Sequence, residues 1–275
     1  MKLRDLMFVL PNLFTVSSIF CGFYAITLCS GEATPVQLYQ AALAIFFGIF
    51  FDGFDGRVAR LTKTQSMFGQ ELDSLADVIS FGVAPGILIY KWALQGLGMP
   101  GLIVSFIFAA CGALRLARFN VLAIRNPHGG SSRFFVGMPI PFAACGLISM
   151  VIAFQNAHGG VLPEAARWPV FGVVLFLALL MVSTVRYRTF KDLRMSPKTL
   201  IIGGVIIAIG VIIGTQIHPA WVLVSYFGLY MFSGLVESVF LLQKYFAEKR
   251  SAADVIDDDV DSGEEEDDVD EQEVI

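Results

Sequence analysis

The chain has 275 residues, of which 56% are hydrophobic and only 16% are charged, and its mean hydropathy is +0.69. A soluble domain of this length carries more charge, so the composition excludes an ordinary soluble protein and favours several membrane spans. The net charge of −5 misleads, because residues 251–275 hold 13 of the 24 acids and no Lys or Arg, which leaves residues 1–250 with 19 bases, 11 acids and a charge of +8.

Eight apolar segments follow one another along the chain, each long enough to cross a bilayer or nearly so. The first exceeds the hydrophobic region of a usual signal peptide and lacks a clear A-x-A cleavage site, which predicts an uncleaved membrane helix. Together they predict an all-α fold, a polytopic integral membrane protein of about eight transmembrane helices. The segments are residues 8–30, 37–55, 73–95, 99–117, 138–157, 168–186, 199–215 and 219–242.

The positive charges predict how the chain is oriented in the membrane. If the N-terminus is cytoplasmic, eight crossings return the C-terminus to the cytoplasm, and 17 of the 19 Lys and Arg residues then lie on the cytoplasmic side. Lys91 and Arg167 are the two that lie toward the outside. We therefore expect cytoplasmic termini, with the connection between the second and third segments also at the cytoplasmic surface.

Carboxylates gather in residues 52–77, where the second segment ends and the third begins. If both segments are helical, Asp52 and Asp55 share a face at i, i+3, and Asp73 and Asp77 share another at i, i+4. Four converging carboxylates would cost on the order of 10 kcal/mol at the bilayer centre, which favours a site near water that holds a hard divalent cation. Oxygen-only ligands favour magnesium, manganese or calcium over zinc. The alternative is a solvated loop with ordinary surface acids.

Two other cytoplasmic stretches differ from plain loops. In CGALRLARFNV, Arg115 and Arg118 are three positions apart and lie with Asn120 at the inner end of the fourth segment. In SSRFFVGMPIP, Arg133 precedes a glycine and two prolines that shape the entry to the fifth segment. Two arginines on one helical face beside an acidic site suit an anionic substrate group. Membrane anchoring and topology are the alternative role for these arginines.

The last 25 residues predict a separate segment. Residues 251–275 are acidic, contain no aromatic side chain and cannot form a hydrophobic core, so we expect a disordered tail. The chain therefore divides into a membrane-embedded catalytic domain, residues 1–250, and this acidic tail. Solubility is the default role of the tail, and regulation or metal buffering are alternatives.

The residue types in 52–77 suit phosphoryl chemistry. A metal held by carboxylates neutralises a diphosphate, nearby arginines share its charge, and a carboxylate can take a proton from a hydroxyl nucleophile. Gly53, Gly56 and Gly69 let a nucleotide or a facing helix approach the backbone closely. In a membrane enzyme the diphosphate substrate would be a lipid that enters sideways from the inner leaflet.

The spacing of these residues resembles the signature of a known family, the CDP-alcohol phosphotransferases, at every defined position. Eight fixed residues at set spacings inside membrane segments make coincidence a poor explanation. The pattern is Asp52-x2-Asp55-Gly56-x2-Ala59-Arg60-x8-Gly69-x3-Asp73-x3-Asp77.

The surrounding residues resemble the phosphatidylserine synthase branch of that family, over about residues 8–145. Relatives that make phosphatidylglycerophosphate tend to have a proline after the third aspartate and a lysine after the fourth, where this chain has Ser74 and Val78. The stretches that carry the resemblance are PNLFT at 11–15, FGQELDSLADVISFGVAP at 68–85, RLARFN at 115–120 and FVGMPIP at 135–141.

The resemblance implies an enzyme that transfers the phosphatidyl group of CDP-diacylglycerol to the hydroxyl of L-serine and releases CMP. It implies attack on the lipid-side phosphorus, by direct displacement or through a covalent intermediate. It also implies a divalent metal, Mg²⁺ or Mn²⁺ and two ions, together with a homodimer and no nucleic-acid partner. The expected location is a bacterial cytoplasmic membrane, with the active site facing the cytoplasm.

The resemblance also implies roles for single residues, with Asp77 as the general base and Arg60 near phosphate. The serine carboxylate needs a partner, and charge alone suggests the residues of the two basic stretches. The expected metal ligands are Asp52, Asp55, Asp73 and Asp77; the nucleotide-binding residues are Asp52, Gly56, Ala59, Arg60, Gly69 and Asp73; the serine- or phosphate-binding residues are Arg115, Arg118, Asn120 and Arg133.

Two alternatives remain open at this point. A relative could use glycerol 3-phosphate, inositol phosphate or choline as the acceptor, because residues 52–77 handle the shared CDP-lipid. A cation transporter could use the acids as its ion path. The acids cluster at one face of the membrane, whereas a transporter more often places ionisable groups near the midplane.

Overall fold

The structure is a computed structural model that describes residues 3–125, 134–160, 162–184 and 186–188. These residues are mainly helical, as the sequence predicts. The first six predicted segments each coincide with a helical region, whereas the segments at 199–215 and 219–242 and the tail lie outside the described residues. The helices are α1 Leu3–Leu28, α2 Pro35–Thr62, α3 Met67–Asp77, α4 Ala84–Ile89, α5 Met99–Arg125, α6 Ile140–His158 and α7 Arg167–Val182.

Five helical stretches of the described region are long and apolar enough to cross a membrane, and α6 is a shorter apolar helix. The protein is therefore a helical integral membrane protein, while eight crossings and the positions of the termini remain predictions. The five stretches are Leu10–Leu28, Pro35–Thr62, Met67–Leu97, Met99–Leu122 and Glu164–Val182.

The third span is continuous but irregular. A π-helical turn, Val78–Val83, joins α3 to α4, and a second π turn and a short 3₁₀ turn carry the chain to Leu97. Pro85 lies just after the first π turn, and because it has no N–H to donate to the preceding turn, the regular i to i−4 bonding cannot continue through it. The helical path therefore continues without a break from Asp77 to Leu97.

The connection between α2 and α3 is short because both helix ends are capped. Lys63, with φ of 55°, adopts the left-handed conformation, and its N–H bonds the carbonyls of Ala59 and Arg60. Ser66 caps α3 by accepting a bond of 3.0 Å from the Gly69 N–H. This cap starts α3 at Met67, six residues before the predicted segment, and so brings Gly69 and Gln70 into the helix.

The hydrophobic core lies between α1, α2, the irregular third span, α5, α6 and α7. Helix α1 runs along α2, α2 contacts α6, and α5 packs on α7. Phe81 and Phe108 are fully buried, whereas Phe20 and Phe106 are 65% and 70% exposed. Apolar side chains therefore line both the inside and the outside, as a helix bundle in lipid requires.

A small two-stranded ribbon departs from the all-α prediction. Strand β1, Phe134–Val136, pairs antiparallel with β2, Arg186–Arg188, and Phe135 lies opposite Tyr187. Met138 then donates its N–H to the Leu180 carbonyl. The ribbon ties the chain before α6 to the end of α7. Three residues per strand are too few to produce an alternating pattern, so the sequence carries no signal for it.

Candidate active site

The two capped helix ends bring the predicted carboxylates together. Helix α2 supplies Asp52 and Asp55 from one face, and α3 supplies Asp73 from the facing side. One carboxylate oxygen from each of these three residues lies within 4.8 Å of the others. Asp55 is buried, while the other two are partly exposed. We call these three residues the carboxylate cluster.

Asp77 lies one helical turn beyond Asp73, deeper in the protein. Its side chain is buried, and it is close enough to Asp52 and Asp73 to experience their negative charge. Arg115 of α5 is also buried and interacts favourably with the Asp77 carboxylate. Asp77 is not a member of the carboxylate cluster, so its predicted role as a metal ligand remains a prediction.

The charges of the carboxylate cluster are poorly compensated within the described part of the chain. If all three carboxylates are ionised, two charges 4.8 Å apart, the largest separation among these oxygens, repel by roughly 3 kcal/mol at an effective dielectric constant of about 20. Asp52 Oδ1 and Asp77 Oδ1 are buried and lack a hydrogen-bond partner among the described residues. Buried acceptors without donors are costly, and a cation would satisfy them.

The donor set fits a hard divalent cation. The three ligand atoms are carboxylate oxygens, which suit Mg²⁺, Mn²⁺ or Ca²⁺, and no Cys or His is part of the cluster. Asp55 is buried, but Asp52 and Asp73 are partly exposed, so a cation can approach the cluster from the solvent side. The residues present can therefore hold a divalent metal.

A polar cleft of about 240 Å³ opens beside the carboxylate cluster, between α1, the end of α2 and the start of α3. Asp55 and Asp73 belong to its wall, and so do the two glycines, the alanine and the arginine predicted to bind the nucleotide. Asp52, which carries the same prediction, does not line it. The lining residues are Pro11, Asn12, Thr15, Asp55, Gly56, Ala59, Arg60, Thr64, Gln65, Ser66, Gly69, Gln70 and Asp73.

The two predicted glycines of the cleft differ in their surroundings. A Cβ added to Gly56 would meet no atom of the described residues within 4 Å, so this side of α2 is open to a ligand. A Cβ added to Gly69 would lie 3.2 Å from Ser66 Oγ and 3.6 Å from Asn12 Oδ1. Gly69 therefore allows the Ser66 cap and α1 to come close to the start of α3.

Sequence reasoning missed six polar residues of the cleft wall. Asn12 and Thr15 belong to the PNLFT stretch, which supported the resemblance but received no role. Thr15 Oγ1 donates a bond of 2.7 Å to Asp55 Oδ2. A threonine in an apolar helix is the signal that could have pointed to this contact, although the sequence does not tell which carboxylate the threonine contacts. The other four, Thr64, Gln65, Ser66 and Gln70, come from the α2–α3 connection and the start of α3.

The structure separates the residues predicted to bind serine or phosphate. Arg115 lies near Asp77, whereas Arg118 donates to the carbonyls of Val182 (3.2 Å) and Ser183 (3.3 Å) at the end of α7. Asn120 Nδ2 donates a bond of 3.0 Å to Ser74 Oγ. None of these three is among the described residues that line the cleft. Arg133 lies outside the described residues.

Comparisons with known proteins identify the family that this chain is similar to. The model of a family described as CDP-alcohol phosphatidyltransferase matches residues 8–185. A Helicobacter pylori (strain J99) protein named CDP-diacylglycerol–serine O-phosphatidyltransferase is 36% identical over 247 residues, which cover 90% of this chain and 98% of the relative. Proteins of the same name from Bacillus subtilis and Saccharomyces cerevisiae are 35% and 38% identical, over 66% and 54% of this chain and 91% and 58% of the relatives.

Proposed function

The chain belongs to the CDP-alcohol phosphatidyltransferase family, and we propose that it transfers the phosphatidyl group of CDP-diacylglycerol to the hydroxyl of L-serine. The products are phosphatidylserine and CMP. The similarity to serine phosphatidyltransferases extends well beyond the carboxylates and supports serine as the acceptor. The carboxylate cluster beside a polar cleft is the observation that carries the reaction type.

The residues of the cleft bind the nucleotide part of the lipid in this proposal. Gly56 leaves open space on α2, and the exposed Arg60 lines the same wall and can donate to a phosphate. Asp52, Asp55 and Asp73 would hold the divalent metal, which is Mg²⁺ or Mn²⁺ and by family expectation two ions. The metal would supply positive charge against the diphosphate.

Asp77 is the proposed general base. Its carboxylate is buried beside Asp52 and Arg115, and a carboxylate in this position can take the proton of a hydroxyl nucleophile. In a direct displacement, the serine hydroxyl oxygen forms a bond to the lipid-side phosphorus and its proton passes to Asp77. The bond between this phosphorus and the oxygen that bridges the two phosphates breaks, and CMP leaves with that oxygen and the electron pair of the bond. Arg115, beside Asp77, stabilises negative charge there or holds the serine carboxylate.

The predictions about the catalytic domain, its membrane location and orientation, and the oligomeric state belong to this proposal as well. Residues 1–250 form the catalytic domain in a cytoplasmic membrane, and the site faces the cytoplasm, where L-serine and metal ions are available. The enzyme is a homodimer, as the family resemblance implies, and residues 251–275, whose composition predicts a disordered tail, are separate from the catalytic domain. The positive-inside distribution of Lys and Arg supports the orientation.

The deciding experiment is CMP release from CDP-diacylglycerol by the purified full chain with Mg²⁺ or Mn²⁺. L-Serine is compared with glycerol 3-phosphate, inositol phosphate and choline, and chelation by EDTA serves as the metal-free control. We expect release with serine and its loss in EDTA. Release with another acceptor alone would overturn serine as the substrate, and no release with any acceptor from metal-loaded protein would overturn the enzyme assignment.

A further inference from the structure

Thr15, a residue of the cleft wall, makes a contact with the carboxylate cluster for which the family resemblance implies no role. It lies in α1, its side chain is 4% exposed, and its Oγ1 donates to Asp55 Oδ2 of α2 at 2.7 Å. The same Oγ1 lies 3.3 Å from the Pro11 carbonyl of its own helix. A hydroxyl has one hydrogen, and the shorter contact to a carboxylate is the stronger of the two.

Two other hydroxyls of α1, those of Ser17 and Thr27, behave differently. Ser17 donates to the Leu13 carbonyl and Thr27 donates to the Tyr24 carbonyl, so both satisfy their hydrogen locally. Local bonding of this kind is the usual fate of Ser and Thr in helix interiors. Thr15 instead reaches across the α1–α2 interface to one member of the carboxylate cluster. Its hydrogen bond therefore joins the first helix to the carboxylate cluster.

We infer that Thr15 is a positioning residue for Asp55 and that it tunes how tightly the carboxylate cluster binds a divalent cation. This inference rests on the proposed metal site. A carboxylate has two oxygens and about four lone-pair sites, so one bond from Thr15 leaves most of its capacity for a cation. A fixed carboxylate also loses less rotational freedom when the cation binds.

The consequence is a defect in metal binding rather than in folding. Hydrogen bonds that orient a metal ligand typically change metal affinity or activity about 10- to 100-fold when they are removed. Thr15→Val keeps the shape of the side chain and removes the hydroxyl, whereas Thr15→Ser keeps the hydroxyl. We expect Thr15→Val to weaken Mn²⁺ binding at least about tenfold and Thr15→Ser to restore it to near the wild-type value.

The matched control is Thr27→Val, which makes the same chemical change in the same helix, where the hydroxyl donates to the Tyr24 carbonyl and to no other atom of the described residues. Mn²⁺ binding to metal-free, full-length protein in detergent is measured by electron paramagnetic resonance of free Mn²⁺, without substrate. The melting temperature of each metal-free variant is measured alongside. Should Thr15→Val not fold, Thr15→Ala, which also lacks the hydroxyl, replaces it.

The outcomes separate the inference from the proposed function. Weak binding in Thr15→Val, with normal binding in Thr15→Ser and Thr27→Val, supports the inference. Equal Mn²⁺ affinity in Thr15→Val and wild type overturns it and leaves the metal site intact. Failure of the wild type to bind Mn²⁺ overturns the metal site itself. Equal loss of binding in Thr15→Val and Thr27→Val also overturns the inference, because it assigns the effect to α1 in general.

Discussion

Among single residues, the four aspartates of α2 and α3 have different surroundings. Asp55 is buried and hydrogen-bonded by Thr15, whereas Asp52 Oδ1 is buried without a donor in the described region. Asp73 is partly exposed and lies at the wall of the cleft, and Asp77 lies deeper, beside Arg115. Identical side chains are therefore suited to different tasks, which is the arrangement expected where metal binding and proton transfer occur together.

Asp73→Asn tests the metal site through a single side chain. Asparagine keeps the size of the side chain and removes the charge, so we expect CMP release to fall at least about 100-fold, or about 2.7 kcal/mol in barrier, while the protein still inserts. Membrane fractionation and the CMP assay provide the two measurements. Glu71→Gln is the matched control, because Glu71 is an exposed acid of the same helix. Near-normal turnover in Asp73→Asn would contradict the assignment.

Between helices, a polar bridge holds α3 against α5. Asn120 of α5 donates to Ser74 Oγ, and Ser74 in turn donates to the Gln70 carbonyl at 3.1 Å. Ser74 lies directly after Asp73 on α3. The bridge therefore fixes the helix that carries Asp73 and Asp77 relative to the helix that carries Arg115.

A double-mutant cycle tests this bridge. Ser74→Ala and Asn120→Ala each remove one partner, and we expect each to lower stability by about 1 kcal/mol. Both changes break the bond between Asn120 and Ser74, and Ser74→Ala also removes the bond to the Gln70 carbonyl. The double variant should therefore lose about as much as Ser74→Ala alone. Thermal unfolding in detergent gives the values. Ser17→Ala is the control, because among the described residues the Ser17 hydroxyl bonds only its own helix. Additive losses would show that the two side chains do not act as a pair.

Across the whole molecule, charge divides the chain into a basic body and an acidic tail. Residues 1–250 carry +8, and residues 251–275 carry 13 acids and no base. The carboxylate cluster belongs to the body, where α1, α2 and α3 enclose it. The tail lies outside the described residues and is expected to contribute charge and solubility.

Deletion of residues 251–275 tests this division. The truncated chain should insert and release CMP in detergent at a rate close to that of the full chain, because the site residues all lie before residue 251. The assay compares both chains at equal protein and metal concentration. A loss of more than about tenfold, or about 1.4 kcal/mol in barrier, would show that the tail belongs to the fold or to the site.

The helices and the gathering of the carboxylates can be predicted from the amino-acid sequence alone. A bilayer demands apolar segments of a minimum length, so spans are visible as runs, and residues three or four apart in a helix share a face. Those two regularities place Asp52 with Asp55 on one helical face and Asp73 with Asp77 on another, and the resemblance to the family signature predicts that the two faces meet. The predicted start of the third segment is less accurate, because the Ser66 cap extends α3 beyond the apolar run.

The meeting of polar groups across helices, in contrast, follows from the tertiary packing. Thr15 and Asp55 are 40 positions apart, Asn120 and Ser74 are 46 apart, and Arg118 and Val182 are 64 apart. Arg118, expected near substrate, bonds the end of α7, and the β1–β2 ribbon joins two connections. Local periodicity describes one helix at a time. These contacts depend on the rotation and depth at which two helices pack, which the packing of all their side chains sets together.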